Sequence, residues 1–350
     1  MSNPVRDAIV VGAGQAGLSA SHHLRRLGVD HVVLDANPTP GGAWQHRAHS
    51  LTMTDVHGVA ALPDEPLPDV DPAAPAREVV AAYFADYEAA HQLPVERPVE
   101  VGAVRDDGGV LVVEAVDGRS WRTRTLVNAT GTWRRPFVPR VAGVEDFVGD
   151  QLHSAAYDGP EPFVGRTVLV VGGGHSAVQV LGEIAPGSRT LWATRREPLW
   201  RDPATEPFDG RAAVALVEER VRRGLPPASV VSVTGLQLRP QEREAARLGA
   251  YERLPMPVRF DADGATWPDG THRSFDVVLW ATGFRPDVAH LAPLHLRGHG
   301  GGIELDGTTT VADPRVQLVG YGPSASTIGA NRAGRTAAVA VRDLLRSTAG

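Results

Sequence analysis

Gly12, Gly14 and Gly17 end an apolar run, I-V-V-G-A-G-Q-A-G over residues 9–17. That spacing has a mechanical use. The first glycine permits a tight turn, the second lets backbone approach a diphosphate with no Cβ in the way, and the third lets the next helix pack closely on the strand. The helix start, here Gln15 and Ala16, then offers free N–H groups and the positive end of its dipole to phosphate. A second run, V-L-V-V-G-G-G-H-S-A over residues 168–177, repeats the arrangement 160 residues later, with Gly172, Gly174, His175, Ser176 and Ala177. The predicted chemistry is the binding of two dinucleotides.

The two turns differ in the residues that come after them. Asp35, with Ala36 behind it, stands about 20 residues after the first turn, where a carboxylate accepts hydrogen bonds from ribose hydroxyls, as in FAD or NAD. The corresponding place after the second turn reads Thr194-Arg195-Arg196. Two guanidiniums there suit the 2′-phosphate of NADPH. One site reads as an electron store and the other as its supplier, so the function is hydride transfer from a nicotinamide to a flavin.

The elements that must hold these turns are legible. In each copy a strand meets the glycine turn, a helical segment comes next, and then a second short strand, residues 31–34 and 190–193. Between the copies, residues 77–91 predict a helix burying Val80, Tyr83, Phe84 and Tyr87 on one face. Residues 110–116 and 121–129 predict strands joined by the hairpin signal Asp117-Gly118. Residues 211–223 predict an exposed helix, with Val217 and Val221 inward and the pairs Glu218–Arg222 and Glu219–Arg223 outward. Further strands are predicted over 274–282 and 315–320, and a closing helix over 328–345. The fold class is α/β, with two Rossmann-like dinucleotide-binding domains, one inserted in the other. Residues 1–155 with 284–350 are expected to bind FAD and 156–283 NADPH.

Composition narrows the chemistry. The 350 residues carry 41 acidic and 35 basic side chains and no cysteine, and every basic residue apart from histidine is arginine. Thiolate catalysis, dithiol relay, zinc on sulfur, Schiff-base cofactors and P-loop phosphate transfer all lack their residue. A formal charge of −6 without a basic tract argues against nucleic acid and anionic lipid. No stretch has the roughly 20 apolar residues of a membrane span. The N-terminus lacks the pattern of a signal peptide, so the expected location is the cytoplasm.

Further segments carry a resemblance. Gly41-Gly42-Ala43-Trp44 comes after Asp35, residues 147–157 read F-V-G-D-Q-L-H-S-A-A-Y, and Ala129-Thr130-Gly131 and Ala281-Thr282-Gly283 are twin A-T-G triplets. With the two glycine turns, these make the chain resemble the flavin-containing monooxygenases over nearly its whole length. Phe147, Gly149, His153 and Tyr157 fill the fixed positions of that family's fingerprint F-x-G-x-x-x-H-x-x-x-Y. The resemblance implies a glutathione-reductase-like flavoprotein. It places FAD against Gly42, Ala43, Trp44, Gln45, Val101, Tyr321, Thr327 and Ile328 as well as the first turn and triplet, and NADPH against the second turn, the second triplet and the fingerprint.

The same resemblance implies a mechanism. NADPH reduces FAD, the reduced flavin forms a C4a-peroxide with dioxygen, and that gives an oxygen atom to a soft nucleophile of a small molecule. Residues 41–46, 280–286 and 319–335 look most like small monooxygenases encoded beside arsenic-resistance genes, so arsenic stands beside nitrogen and sulfur as a candidate heteroatom. Tyr157 occupies a position where Baeyer-Villiger relatives carry tryptophan, which favours heteroatom oxygenation over ketone insertion. Where many members have asparagine beside the flavin, residues 51–55 read L-T-M-T-D, making Asp55 a candidate catalytic group. His153 is the other, either as a proton shuttle or as a structural tie between domains. The helix after Pro323 could be capped by Ser324, Ser326 or Thr327 and aim its dipole at the flavin. The competing readings are a flavin oxidase or reductase without oxygen insertion, and a Baeyer-Villiger oxygenase; a homodimer is left open.

Overall fold

The computed structural model describes residues 4–56, 59–201, 217–227, 235–236, 238–239, 242–325 and 327–348. The two glycine-ended runs become the central strands of two separate sheets. β1 (Val5–Val11) lies between β2 (His31–Leu34) and β6 (Ser120–Asn128), parallel to both. β8 (Thr167–Val171) lies in the same way between β9 (Arg189–Ala193) and β14 (Val277–Trp280). The last four residues of β1 and of β8 are all buried. Burial on both faces is why these strands read as unbroken aliphatic runs instead of alternating ones.

Around β1, the first sheet runs β15 (Leu305–Asp306), β16 (Thr309–Thr310), β17 (Val316–Leu318), β6, β1, β2, β3 (Val95–Glu96). A hairpin of β4 (Val101–Asp107) and β5 (Val110–Ala115) joins it through β6. The second sheet runs β10 (Arg253–Leu254), β9, β8, β14, β7 (Asp150–His153), every pair parallel. A small antiparallel sheet of β11 (Arg259–Phe260), β12 (Gly264–Thr266) and β13 (His272–Ser274) shares a buried aromatic cluster with the second.

Helices α1 (Gln15–Arg26), α2 (Ala76–Ala90) and α5 (Thr327–Ser347) cover one face of the first sheet. On α2, Val80, Tyr83, Phe84 and Tyr87 are buried, as their three-to-four-residue spacing predicts. Helices α3 (His175–Ile184) and α4 (Glu242–Arg247) lie against the second sheet. Among the described residues no helix is long and apolar enough to cross a membrane.

Three expectations change in detail. The strand predicted over 274–282 is broken, because Asp276 turns to bond Thr167 and Asp150 through its backbone, leaving β13 and β14 in different sheets. The helix predicted over 211–223 is described only at 217–222, with Val217 and Val221 buried; residues 211–216 lie outside the described residues. There Arg222 reaches both Glu218 (3.4 Å) and Glu219 (3.6 Å), one turn and three residues back. Finally, β7, which precedes the expected boundary at 155, pairs in register with β14 on the edge of the second sheet.

The chain crosses between units at two places that touch. Residues 135–137 leave the first sheet after β6, residues 283–285 return after β14, and the two strands of linker bond each other: Phe137 N–H to Gly283 O (2.9 Å) and Arg285 N–H to Arg135 O (2.8 Å).

Candidate cofactor site

At the carboxyl end of β1 the first turn opens a cleft of about 470 Å³. Gly12 sits at φ +101°, and a Cβ there would lie 2.6 Å from the carbonyl oxygen of Ala129. Gly172 repeats this at φ +147°, its Cβ 2.1 Å from the carbonyl of Ala281. Each glycine turn is therefore closed by the first residue of an A-T-G triplet, placed directly after the strand hydrogen-bonded to the turn's own strand. The triplets belong to the cradles as much as to the linkers. Gly42 comes against Gly14 so closely that a Cβ on it would stand 2.7 Å from the Gly14 Cα. Backbone meeting backbone leaves a floor with no side chains, the surface a diphosphate needs.

Most residues expected to hold a flavin line this cleft: Gly12, Gly14, Gln15, Ala16, Asp35, Ala36, Gly42, Ala43, Trp44, Val101, Ala129, Thr130 and Gly131. Asp35 is buried, and its two oxygens accept from the N–H groups of Ala13 (2.5 Å) and Asn37 (2.7 Å). It thereby fixes the turn while each carboxylate oxygen retains lone-pair capacity for a ribose hydroxyl. The Gln15 side chain donates to Ala60 O, while its Oε1 is buried with no partner, on a residue that lines the cleft. Thr130 Oγ1 donates to Asp287 O at 2.5 Å, holding the triplet against the returning linker.

Others are placed elsewhere. Gln45 folds back on Thr39 and Gly42. Tyr321 is buried with its hydroxyl accepting from Ile303 N–H (3.2 Å), facing a neighbouring cavity. The side chains of Thr327 and Ile328, and all of Ser326, lie outside the described residues. Ser324 bonds Tyr321 within a short 3₁₀ turn instead of capping α5, yet Ser324, Ala325 and Ala330 all line the cleft, so the amino end of α5 borders it.

The fingerprint is a packing device. Phe147 is buried against Phe260 and Phe275, and a Cβ on Gly149 would stand 2.5 Å from Asp276 O. Tyr157 donates its hydroxyl to Glu183 (2.8 Å), and burial together with that carboxylate pushes its pKa up. His153 accepts from Ala155 N–H on Nδ1 and donates from Nε2 to Gly283 O (3.0 Å). Both ring nitrogens are engaged, burial holds its pKa below the usual value despite the Gly283 bond, and the ring ties the returning linker. Asp55 accepts from Thr52 Oγ1 (2.7 Å) in a local turn and is not among the residues lining the cleft.

At the second cradle, α3 begins at His175 and Ser176 directly after Gly174. Trp192 donates to Gly172 O (2.7 Å), bracing the turn. Thr194 is buried, donating to Arg196 O (2.6 Å) and accepting from Arg253 Nε (2.9 Å), while Arg195 and Arg196 stand exposed. Thr282 donates to Phe137 O, tying the second triplet to the outgoing linker.

Sequence reasoning missed several cleft residues, chiefly Arg47, Trp133 and Phe284. Trp133 stacks on Phe284 (centroids 5.0 Å) and carries the Arg47 guanidinium at 4.5 Å from its ring. The signal for the two aromatics was proximity to a motif, T-W directly after the first triplet and F directly after the second.

A family profile described as pyridine nucleotide-disulphide oxidoreductase matches residues 9–210. Among solved structures, a flavin-containing monooxygenase from Stenotrophomonas maltophilia is 39% identical, with a TM-score of 0.84 over 97% of this chain and 99% of that one. A bacillithiol disulfide reductase from Bacillus cereus, 19% identical with a TM-score of 0.74 over 97% of this chain and 99% of that one, shares the fold. An uncharacterized oxidoreductase, CzcO, of Bacillus velezensis is 29% identical over 195 residues, 55% of this chain and 56% of that protein. An indole-3-pyruvate monooxygenase of Oryza sativa subsp. japonica is 34% identical over 179 residues, 50% of this chain and 44% of that protein. The matched segments thus span about half the length of these curated relatives.

Proposed function

The chain belongs to the pyridine nucleotide-disulphide oxidoreductase family and to its flavin-containing monooxygenases, and from that premise we propose that it spends NADPH and dioxygen to oxygenate sulfur or nitrogen in a small molecule. The observation that carries this reading is the pair of cradles, each a glycine turn closed by an A-T-G triplet, joined by linkers that bond each other between them. The chain's residues include no cysteine, so it has no dithiol of its own for the disulfide exchange in the family's description.

The cleft fits FAD on three counts: a floor a Cβ would fill, a carboxylate at the end of β2, and an orphaned amide oxygen in the first turn of α1. When bound, the flavin supplies two-electron chemistry between a nicotinamide and dioxygen. The N–H groups at the start of α1 take the diphosphate, and Asp35 takes the ribose. Arg195 and Arg196 hold the 2′-phosphate of NADPH beyond β9. Trp44, Trp133 and Phe284 give the cleft an aromatic lining, and exclusion of water from the reacting centre is the main contribution a protein makes to oxygen transfer. No acid–base residue of this chain is invoked, and a soft heteroatom, nucleophilic in itself, is the matching substrate.

The test couples cofactor use to product. The purified holoprotein is given NADPH, air and a panel of sulfides, amines and arsenicals. Sulfoxide or N-oxide formed in step with NADPH consumption, with little hydrogen peroxide, is the expected result. Peroxide equal to NADPH with every compound, and no oxygenated product, would make it an oxidase instead.

A further inference from the structure

Arg47 is a cation with no anion beside it among the described residues. It lies one residue past the short 3₁₀ turn Trp44–His46, is largely buried, and borders the flavin cleft. Its Nε is buried with no hydrogen-bond partner. Among the described residues no carboxylate stands within ion-pair distance, and desolvation alone pushes its pKa down to about 10. What it does touch is aromatic: its Cζ is 4.5 Å from the Trp133 ring centroid and 5.5 Å from that of Trp44.

Such an arrangement is costly as it stands. Water is withdrawn from a guanidinium, and two indole faces return only part of the loss. Burying a charge becomes favourable when an opposite charge with matching hydrogen-bond geometry arrives. The indoles also hold the planar fork in a fixed orientation, so little entropy is lost when it engages.

The anchoring of the two tryptophans locates the anion. Trp44 is two residues from Gly42, which is packed on Gly14. Trp133 is two residues from Gly131, whose backbone comes within 3.4 Å of a Cβ placed on Gly320. Trp44 therefore springs from the glycine floor and Trp133 from just past the first triplet, and the Arg47 guanidinium lies against both rings at the edge of the cleft.

On the reading that this cleft holds a flavin dinucleotide, the geometry points to Arg47 as a binding residue for its diphosphate, in addition to the α1 N-terminus. The diphosphate is charged in every redox state, so the buried cation is compensated throughout a catalytic cycle. A neutral flavin ring would not do this.

The experiment removes FAD from wild type, Arg47→Met, Arg47→Gln and Arg47→Lys, then measures FAD binding to each apoprotein by flavin fluorescence. ADP, which carries the diphosphate without the flavin, is titrated as a competitor of FAD. Circular dichroism and melting curves establish that each variant is folded. The expected outcome is a rise in the FAD dissociation constant of tenfold or more in the Met and Gln variants. ADP should weaken by the same factor, Lys should recover part of it, and the midpoint potential of the bound flavin should not move. Unchanged FAD binding in the folded variants overturns the inference. So does a loss confined to FAD with a shifted potential, which would place Arg47 on the ring. Wild type that fails to bind FAD at all would instead remove the reading of the cleft itself.

Discussion

His290 shows how an ordinary side chain becomes informative once its surroundings are known. It borders the cleft, nearly fully buried, with Nε2 2.7 Å from Asn128 Oδ1. Desolvation lowers its pKa from 6.5 to about 4, only partly opposed by Asp287. Because the folded value lies below the unfolded one, the unfolded chain binds more protons between pH 6.5 and 4. The associated stability is complete above pH 6.5 and is lost as pH falls toward 4, at up to ~1.4 kcal/mol per pH unit for one such group. Melting temperature of the apoprotein should therefore drop across that window, and His290→Asn should flatten the drop while lowering stability at pH 7; a curve with the same acid slope in the variant would clear His290. Nothing in the sequence marked this residue. Single histidines reveal their environment only through tertiary packing, whereas Asp35 was legible because its distance from the glycine turn is set by the length of one strand–helix–strand unit. His153 was read two ways, and in the fold its two nitrogens bond Ala155 N–H and Gly283 O.

Among elements, the strand–turn–helix unit was the most readable, since its glycines are demanded locally. The triplets were seen but their partner was not: Gly12 and Ala129, or Gly172 and Ala281, are far apart in sequence and meet only because β1 lies beside β6 and β8 beside β14. This pairing makes a double dissociation. Gly12→Ala, strained at φ +101° and driven into Ala129 O, should yield a folded protein with flavin content reduced at least tenfold. Gly172→Ala, at φ +147° and driven into Ala281 O, should keep its flavin and bind NADPH at least tenfold more weakly. Flavin absorbance per chain and NADPH titration read the two separately, and loss of both ligands in both variants would mean that the cradles are not independent. The fingerprint taught the opposite lesson. Its spacing was complete in the sequence, yet Phe147, Gly149 and Tyr157 spend it on packing and on Glu183, because β7 is an edge strand that needs anchoring.

For the whole molecule, β7 joins the second sheet although it precedes the expected boundary at 155, since sheet membership depends on non-local pairing, which no local pattern reports. The same non-locality gives the two units a shared polar tie. Glu183 on α3 accepts at Oε2 from Ser50 Oγ (2.6 Å), in a segment just beyond the first unit's double glycine, and from Tyr157 hydroxyl (2.8 Å). Gln179 donates to its other oxygen (3.2 Å). Beside it, Asp158 takes Arg77 (2.8 Å) and the His49 N–H (2.8 Å). A half-buried carboxylate with hydroxyl donors from both sides fixes the second unit against the cleft, and each charge-assisted bond is worth about 1.5–3 kcal/mol. Glu183→Ala leaves two hydroxyls without an acceptor, so it should lower the melting temperature by several degrees and slow flavin reduction by NADPH, with flavin content and NADPH affinity kept. Glu183→Gln, which retains an acceptor, should fall between the variant and wild type in both measures. Stopped-flow reduction beside a melting curve decides it: a lower melting temperature with an unaltered reduction rate would show that the tie stabilises the molecule without setting how the two cradles face each other.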